Sequence, residues 1–371
     1  MTSFETRITL VPEQFSERER TVVTHGPLTA TAFRYGSGVC ALRLENEHGA
    51  LTVLPYQGQQ IWVAEFGCPG VARRNITMRS AFEEPQPTRD FLATFGGFLQ
   101  HCGLTGVGGP SPQDTHPLHG ELPNAPYQSA YLVAGQDAAG PYLGIGGSYR
   151  HTVTFSHDYL AEPLVTLHGS AAGFRVAMTI TNRKRSDMEM LYLMHPNFRP
   201  VDHGRVVYSA PCTPQTVRVL TAIPAHIRPR PGYREFLERL AADPALHQVL
   251  APDLAFDPEV VMFIDYVADA DGWAHSMLVH PDGSAEVIHH RPAELPRATR
   301  WISRTPDHDA IALAEAGTAE PRGYLGARAN GQVRILRPGE RFSCAIEIEV
   351  LNPDDARHLE AHIQAVLAAH A

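Results

Sequence analysis

Every second position is apolar from Phe174 through Val176 and Met178 to Ile180, with Arg175, Ala177, Thr179 and Thr181 between them. A period of two puts the apolar set on one face of an extended chain, so this segment predicts a strand buried on one side. The pattern returns near the end of the chain. There Phe342, Cys344, Ile346, Ile348 and Val350 alternate with Ser343, Ala345, Glu347 and Glu349, directly after the turn signal Arg337-Pro338-Gly339-Glu340. Shorter apolar runs of strand length lie at 51–56, 60–66, 163–169, 189–195, 260–267, 284–290 and 331–336. Helical spacing is confined to 233–240 and to the stretch from 354 to about 370, which Asn352-Pro353-Asp354 introduces.

These elements predict an all-β protein, one large antiparallel sandwich with a few short helices. Neither helical stretch separates two domains, so residues 1–371 are expected to form a single domain. Within it, the core sandwich spans about 45–351, a Pro-bounded helical insertion about 222–257 and a terminal helix about 354–370. Thirty glycines and thirty prolines supply the frequent turns such a fold needs. Hydrophobic residues at 43% and charged residues at 19% suit a packed core rather than a disordered chain.

The charge balance narrows the partners. Thirty-one Lys plus Arg against forty Asp plus Glu give a net charge of −9 with no long basic run, which disfavours nucleic acid or an anionic membrane surface. No signal peptide opens the chain, and no window approaches the roughly 20 apolar residues of a membrane span, so the expectation is a cytoplasmic protein. The five cysteines are scattered without a CxxC pair, so neither a disulfide framework nor a thiolate metal site is expected. Homodimerisation is left open.

Three segments can carry chemistry. The first, 96–127, is rich in glycine and proline, too irregular for a core strand, and offers Gln100, His101, Asp114, His116, His119, Glu121 and Asn124. It reads equally as a solvated loop, and a metal site from His116 and His119 is hindered by Pro117 between them. The second is the apolar strand that runs into His195 and turns at Pro196, followed by Asn197 and Arg199, which could bind hydroxyls or a carboxylate. In the third, the run 311–314 delivers Glu315 just before Gly317-Thr318. A carboxylate so placed is either a desolvated general base or a rim residue paired with Arg322 or Arg328.

Taken in order, Leu118-His119-Gly120, then His195-Pro196-Asn197-Phe198, then Glu315 and the closing 337–340 turn resemble the aldose 1-epimerase (galactose mutarotase) superfamily. The segment 96–104, Gly-Gly-Phe-Leu-Gln-His-Cys-Gly-Leu, is similar to that of a divergent bacterial branch of it, and the resemblance covers roughly 45–351. It implies a large β-supersandwich and a sugar mutarotase working without cofactor or metal. In that scheme Glu315 is the base at the anomeric hydroxyl, His195 the acid at the ring oxygen, and His119 a donor that binds the sugar and stabilises charge on oxygen.

The chain departs from the superfamily's usual pattern in three places: Met194 stands directly before His195, Asn197 occupies an aromatic position, and Arg73-Arg74 is only a loose match to a paired-arginine signature. Further candidates for sugar contacts are Gln100, His101, Asn124, Asn197, Arg74, Asp265 as a carboxylate gripping hydroxyls, and Trp301 as a stacking platform. Two competing functions remain. One is a metal-dependent sugar isomerase, epimerase or lyase using His101, His116 and His119; the other is a non-catalytic sugar-binding module.

Overall fold

The structure is a computed structural model describing residues 4–223, 228–254 and 256–370. Its strands form two antiparallel sheets. The nine-stranded sheet runs, in spatial order, Phe4–Leu10, Ser129–Asp137, Gly140–Val153, His157–His168, Gly173–Asn182, Arg341–Leu351, Ala285–His290, Ala274–Val279 and Arg205–Tyr208. The thirteen-stranded sheet begins with Val217–Val219, Val260–Ile264, Arg297–Arg304, Asp309–Gly317, Met188–Pro196 and Leu99–Leu104. It continues through Ile61–Cys68, Gly49–Val53, Cys40–Glu45, Leu28–Arg34 and Arg20–His25, with Arg334–Leu336 and Val71–Asn75 paired beside it.

The two clearest alternating segments are hydrogen-bonded neighbours. Phe174 faces Ile348, Val176 faces Ile346, Met178 faces Cys344 and Ile180 faces Phe342, so the two apolar sets merge into one face. That face meets the other sheet across an apolar layer in which Phe174 packs against Phe66 and Phe98 at ring distances of 5.4 and 5.8 Å. Burial of this layer on both sheets is what drives the sandwich together.

Helices are peripheral. Tyr233–Ala242 lies in the 222–257 segment, of which Pro224, Ala225, His226, Ile227 and Ala255 lie outside the described residues. Gly323–Ala329 follows the strand carrying Glu315. The terminal helix Pro353–Ala369 is capped by Asn352, whose side chain accepts from the Asp354 and Asp355 amides. No helix among the described residues is long and apolar enough to cross a membrane.

Candidate active site

The site lies on the face of the thirteen-stranded sheet turned away from the other sheet. Along Met188–Pro196, Tyr192 and Met194 point into the layer between the sheets, whereas Leu191 and Leu193 join a separate outer cluster. Strict alternation therefore sends His195 outward with Leu193. Glu315 needs a local irregularity to follow it. Ile311 and Leu313 point into the inter-sheet layer, and without a break Glu315 would share their face. The register against Arg297–Arg304 steps from Trp301 opposite Ala312 to Thr299 opposite Glu315, so two residues on one strand span three on the other. This β-bulge resets the phase: Ala314 and Ala316 take over the inner face and Glu315 turns outward.

The outcome is a buried pair. Nε2 of His195 stands 3.3 Å from Oε1 of Glu315, with side chains 5% and 3% exposed. Burial pushes the Glu315 carboxyl well above the ordinary carboxylate range, and neighbouring Glu259 adds to the shift. Burial also holds the His195 imidazole well below its ordinary value, helped by His119, while the Asn197 side chain favours the charged ring. Both shifts disfavour charge, so burial favours the net-neutral form of the pair.

His119 completes the centre. Its ring lies 5.4 Å from that of His195 and 4.7 Å from Phe91. The backbone is left-handed at φ 58°, and Gly120 continues the bend at φ 76°, where a side chain would meet the Gly103 carbonyl at 2.4 Å. Nδ1 of His119 accepts from the Gly108 amide at 3.4 Å, which fixes the tautomer and leaves Nε2–H free to donate. Burial lowers its pKa to about 4, so it is a neutral donor.

Aromatic rings close over the pair. Phe95 lies 5.4 Å from His195 and 4.8 Å from Phe91, and Trp301 lies 5.5 Å from His195. His308 stacks on Phe95 at 5.7 Å. Trp301 Nε1 donates to Glu259 at 2.7 Å, which ties the ring and brings that carboxylate to the site. Phe91, Phe95, Glu259 and His308 were not among the sequence candidates. The three aromatic or imidazole groups carry no motif, although Glu259 directly before the apolar strand Val260–Ile264 follows the same rule that singled out Glu315.

The remaining candidates are dispersed. Asn197 is fully buried behind His195, donating to the Gly97 carbonyl and to Gln100 Oε1, both at 2.9 Å. Gln100 and Asn197 thus brace the strand end and have no open face. His101 points the other way, into the inter-sheet layer, with Nδ1 2.6 Å from Tyr192 Oη, and burial takes its pKa to about 3. Asn124 accepts from Gln57 and Gln60 and donates to the Asp90 carbonyl at 3.3 Å, bracing the segment that carries Phe91.

Arg74 and Asp265, both expected as sugar contacts, are each engaged in an ion pair. Arg74 donates to Glu286 at 2.8 Å and Ser284 at 3.0 Å, and Asp265 takes a two-point contact from Arg218. Asp114 and His116 accept from the Leu325 and Tyr324 amides at the start of Gly323–Ala329, so His101, His116 and His119 do not converge on a shared point. Arg322 pairs with Glu320 and Arg328 donates to Tyr324, so these two arginines are engaged away from Glu315.

Comparison with known proteins places the fold. The family described as "Domain of unknown function (DUF4432)" matches residues 36–350. The chain belongs to that family. No curated protein matches this DUF4432 chain in sequence. Among solved structures, a proposed aldose 1-epimerase from Klebsiella pneumoniae superposes with a TM-score of 0.79 at 15% identity, covering 99% of this chain and 96% of that one. A galactose mutarotase-like protein from Clostridium acetobutylicum gives 0.57 at 12% identity, covering 88% and 99%. The galactose 1-epimerase of Lactobacillus acidophilus gives 0.51 at 12%, covering 94% and 99%. At these identities the likeness establishes the fold, a galactose mutarotase-like β-supersandwich.

Proposed function

We propose that this DUF4432 protein is a mutarotase of the aldose 1-epimerase kind, interconverting the anomers of a sugar by ring opening. The observation that carries the reading is the His195–Glu315 pair, 3.3 Å apart and buried, with the neutral donor His119 beside it. Mutarotation needs that combination. A proton leaves the anomeric hydroxyl as another reaches the ring oxygen, so an acid and a base must act on the two sides of one carbon while their total charge stays constant.

In this reading the sugar's polar hydroxyls enter the pocket, restore polarity around the pair and draw a proton from Glu315 to His195. Glu315 then takes the proton of the anomeric hydroxyl, and His195 protonates the ring oxygen as the C1–O5 bond breaks and the C1 carbonyl forms. Rotation about C1–C2 turns the other carbonyl face to the oxygen, and reclosure with the protons returned gives the opposite anomer. The Nε2–H of His119 stabilises charge developing on oxygen. Trp301 offers an apolar face to the pyranose. The Phe91–Phe95 segment swings aside to admit the sugar and excludes water when it returns.

The superposed epimerases support the fold that this chemistry uses. Equilibration of freshly dissolved α-anomers, followed by polarimetry over a panel of free and phosphorylated sugars, tests the reading. Acceleration of one sugar's equilibration by the protein is expected. A protein that binds sugars and leaves every rate at the uncatalysed value would be a binding module instead.

A further inference from the structure

A second constellation lies on the other sheet. Asp269, in the connection between Val260–Ile264 and Ala274–Val279, His275 on the latter strand, and His362 on the terminal helix present three ligand atoms within 4.8 Å of one another. Oδ2 of Asp269 is 3.0 Å from His275 Nε2 and 3.1 Å from His362 Nε2. Among the described residues this is the one group of three or more His, Cys, Asp or Glu side chains so disposed.

The geometry points to a binding site for a divalent transition-metal cation of the zinc class, held by Asp269, His275 and His362, that staples the terminal helix to the nine-stranded sheet. Two imidazoles and one carboxylate are the donor set such ions take, whereas calcium and magnesium require oxygen. Bonds of about 2.0–2.1 Å at tetrahedral angles put ligand atoms roughly 3.3 Å apart, so the two O···N separations need open by only a few tenths of an ångström. With three protein ligands, water supplies the fourth.

The far sides of the ligands are already fixed. Oδ1 of Asp269 accepts from the Asp271 and Trp273 amides, both at 2.9 Å, which leaves Oδ2 to face the histidines. Nδ1 of His275 lies 2.7 Å from Nδ1 of His289. A cation on His275 Nε2 takes that nitrogen's lone pair, so the neutral ring carries its one proton on Nδ1 and donates it to His289 Nδ1. This is the outer support that metal-bound imidazoles use to hold tautomer and orientation. The site is reachable, since the His362 side chain is 48% exposed.

The helix packs Ala356 and Ile363, with the partly buried Leu359 and Leu367, against Val207, Met277, Val279, Ala285 and Val287, and His362 lies beside this apolar face. A ligand at His362 adds a polar anchor there.

The test titrates zinc chloride alone into the full chain, stripped with a chelator and desalted, by calorimetry and by thermal melting. Wild type is compared with His362→Ala, Asp269→Asn and the control His358→Ala, an exposed residue on the same helix. One zinc per chain is expected for wild type and H358A, with affinity at least ~10-fold weaker in H362A and D269N. The melting temperature should rise by a few degrees at ~100-fold excess over Kd in the first two proteins only. Metal-free melts show whether each variant is folded. Wild type that takes up no zinc saturably, or zinc binding that survives unchanged in both H362A and D269N, overturns the site.

Discussion

Phe95→Ala isolates the claim that the aromatic cap sets the electrostatics of the His195–Glu315 pair. The ring is 9% exposed and touches Phe91, His195, Trp301 and His308 at 4.8–5.8 Å. Truncating a buried phenylalanine costs about 3–5 kcal/mol, and the lower end applies to a ring at the edge of a pocket. An unfolding entropy of about 2.1 cal/mol/K per residue, over 371 residues, gives about 0.8 kcal/mol/K, so a loss of about 3 kcal/mol lowers Tm by about 4 °C.

The second consequence is electrical. In the net-neutral pair, adding a proton charges His195, whose pKa burial lowers, and removing one charges Glu315, whose pKa burial raises. The pair's active form therefore spans a widened pH plateau, with its acid limb below the ordinary imidazole range and its alkaline limb above the ordinary carboxylate range. Water admitted by Phe95→Ala moves both pKa values back, so the plateau of kcat/KM against pH narrows from both sides. Polarimetric pH profiles alongside thermal melts check this. A variant that loses about 4 °C yet keeps the wild-type profile would refute the idea that the cap sustains the shifts.

The other predictions concern stability. Glu315→Gln keeps the shape and removes the titration: because the folded pKa of Glu315 lies above its unfolded value, wild type loses stability as pH rises through the folded pKa, so the variant gains on wild type at alkaline pH. Melts across pH check this, and a constant offset at every pH would contradict it. Arg300 is fully buried and bonded to His247 Nε2 at 2.7 Å and Ser276 Oγ at 2.8 Å. Arg300→Met leaves both without that partner at about 1–3 kcal/mol each, and denaturant unfolding should show a loss of at least ~2 kcal/mol.

Much of the fold was legible because the strands are amphipathic. The alternation at 174–181 and 342–350 encodes which face is buried, and those faces meet in the structure. Position along the chain also flagged His195 and Glu315, since a polar group ending an apolar run sits at the rim of a sheet. What alternation could not supply is the bulge opposite Thr299 and Trp301, which decides the face Glu315 takes and depends on cross-strand pairing. Long-range pairing hid the fate of other candidates. Asp265 is claimed by Arg218, 47 positions away, and Arg74 by Glu286, 212 positions away. Phe91 and Phe95 lie in an irregular segment around the short turn Leu92–Thr94, where no period marks which rings fold over a pocket.

The central claim is that His195 and Glu315 divide one proton's work between two oxygens of a sugar. The most direct measurement is the mutarotation rate of the sugar that wild type accelerates, for wild type, His195→Asn and Glu315→Gln at equal concentration and matched folded fraction. The account predicts that each substitution slows kcat/KM by ~10²–10⁴-fold, or about 3–5 kcal/mol, with the double variant little worse than either single one because the pair acts as a unit. Rates within about twofold of wild type in both folded variants would contradict it.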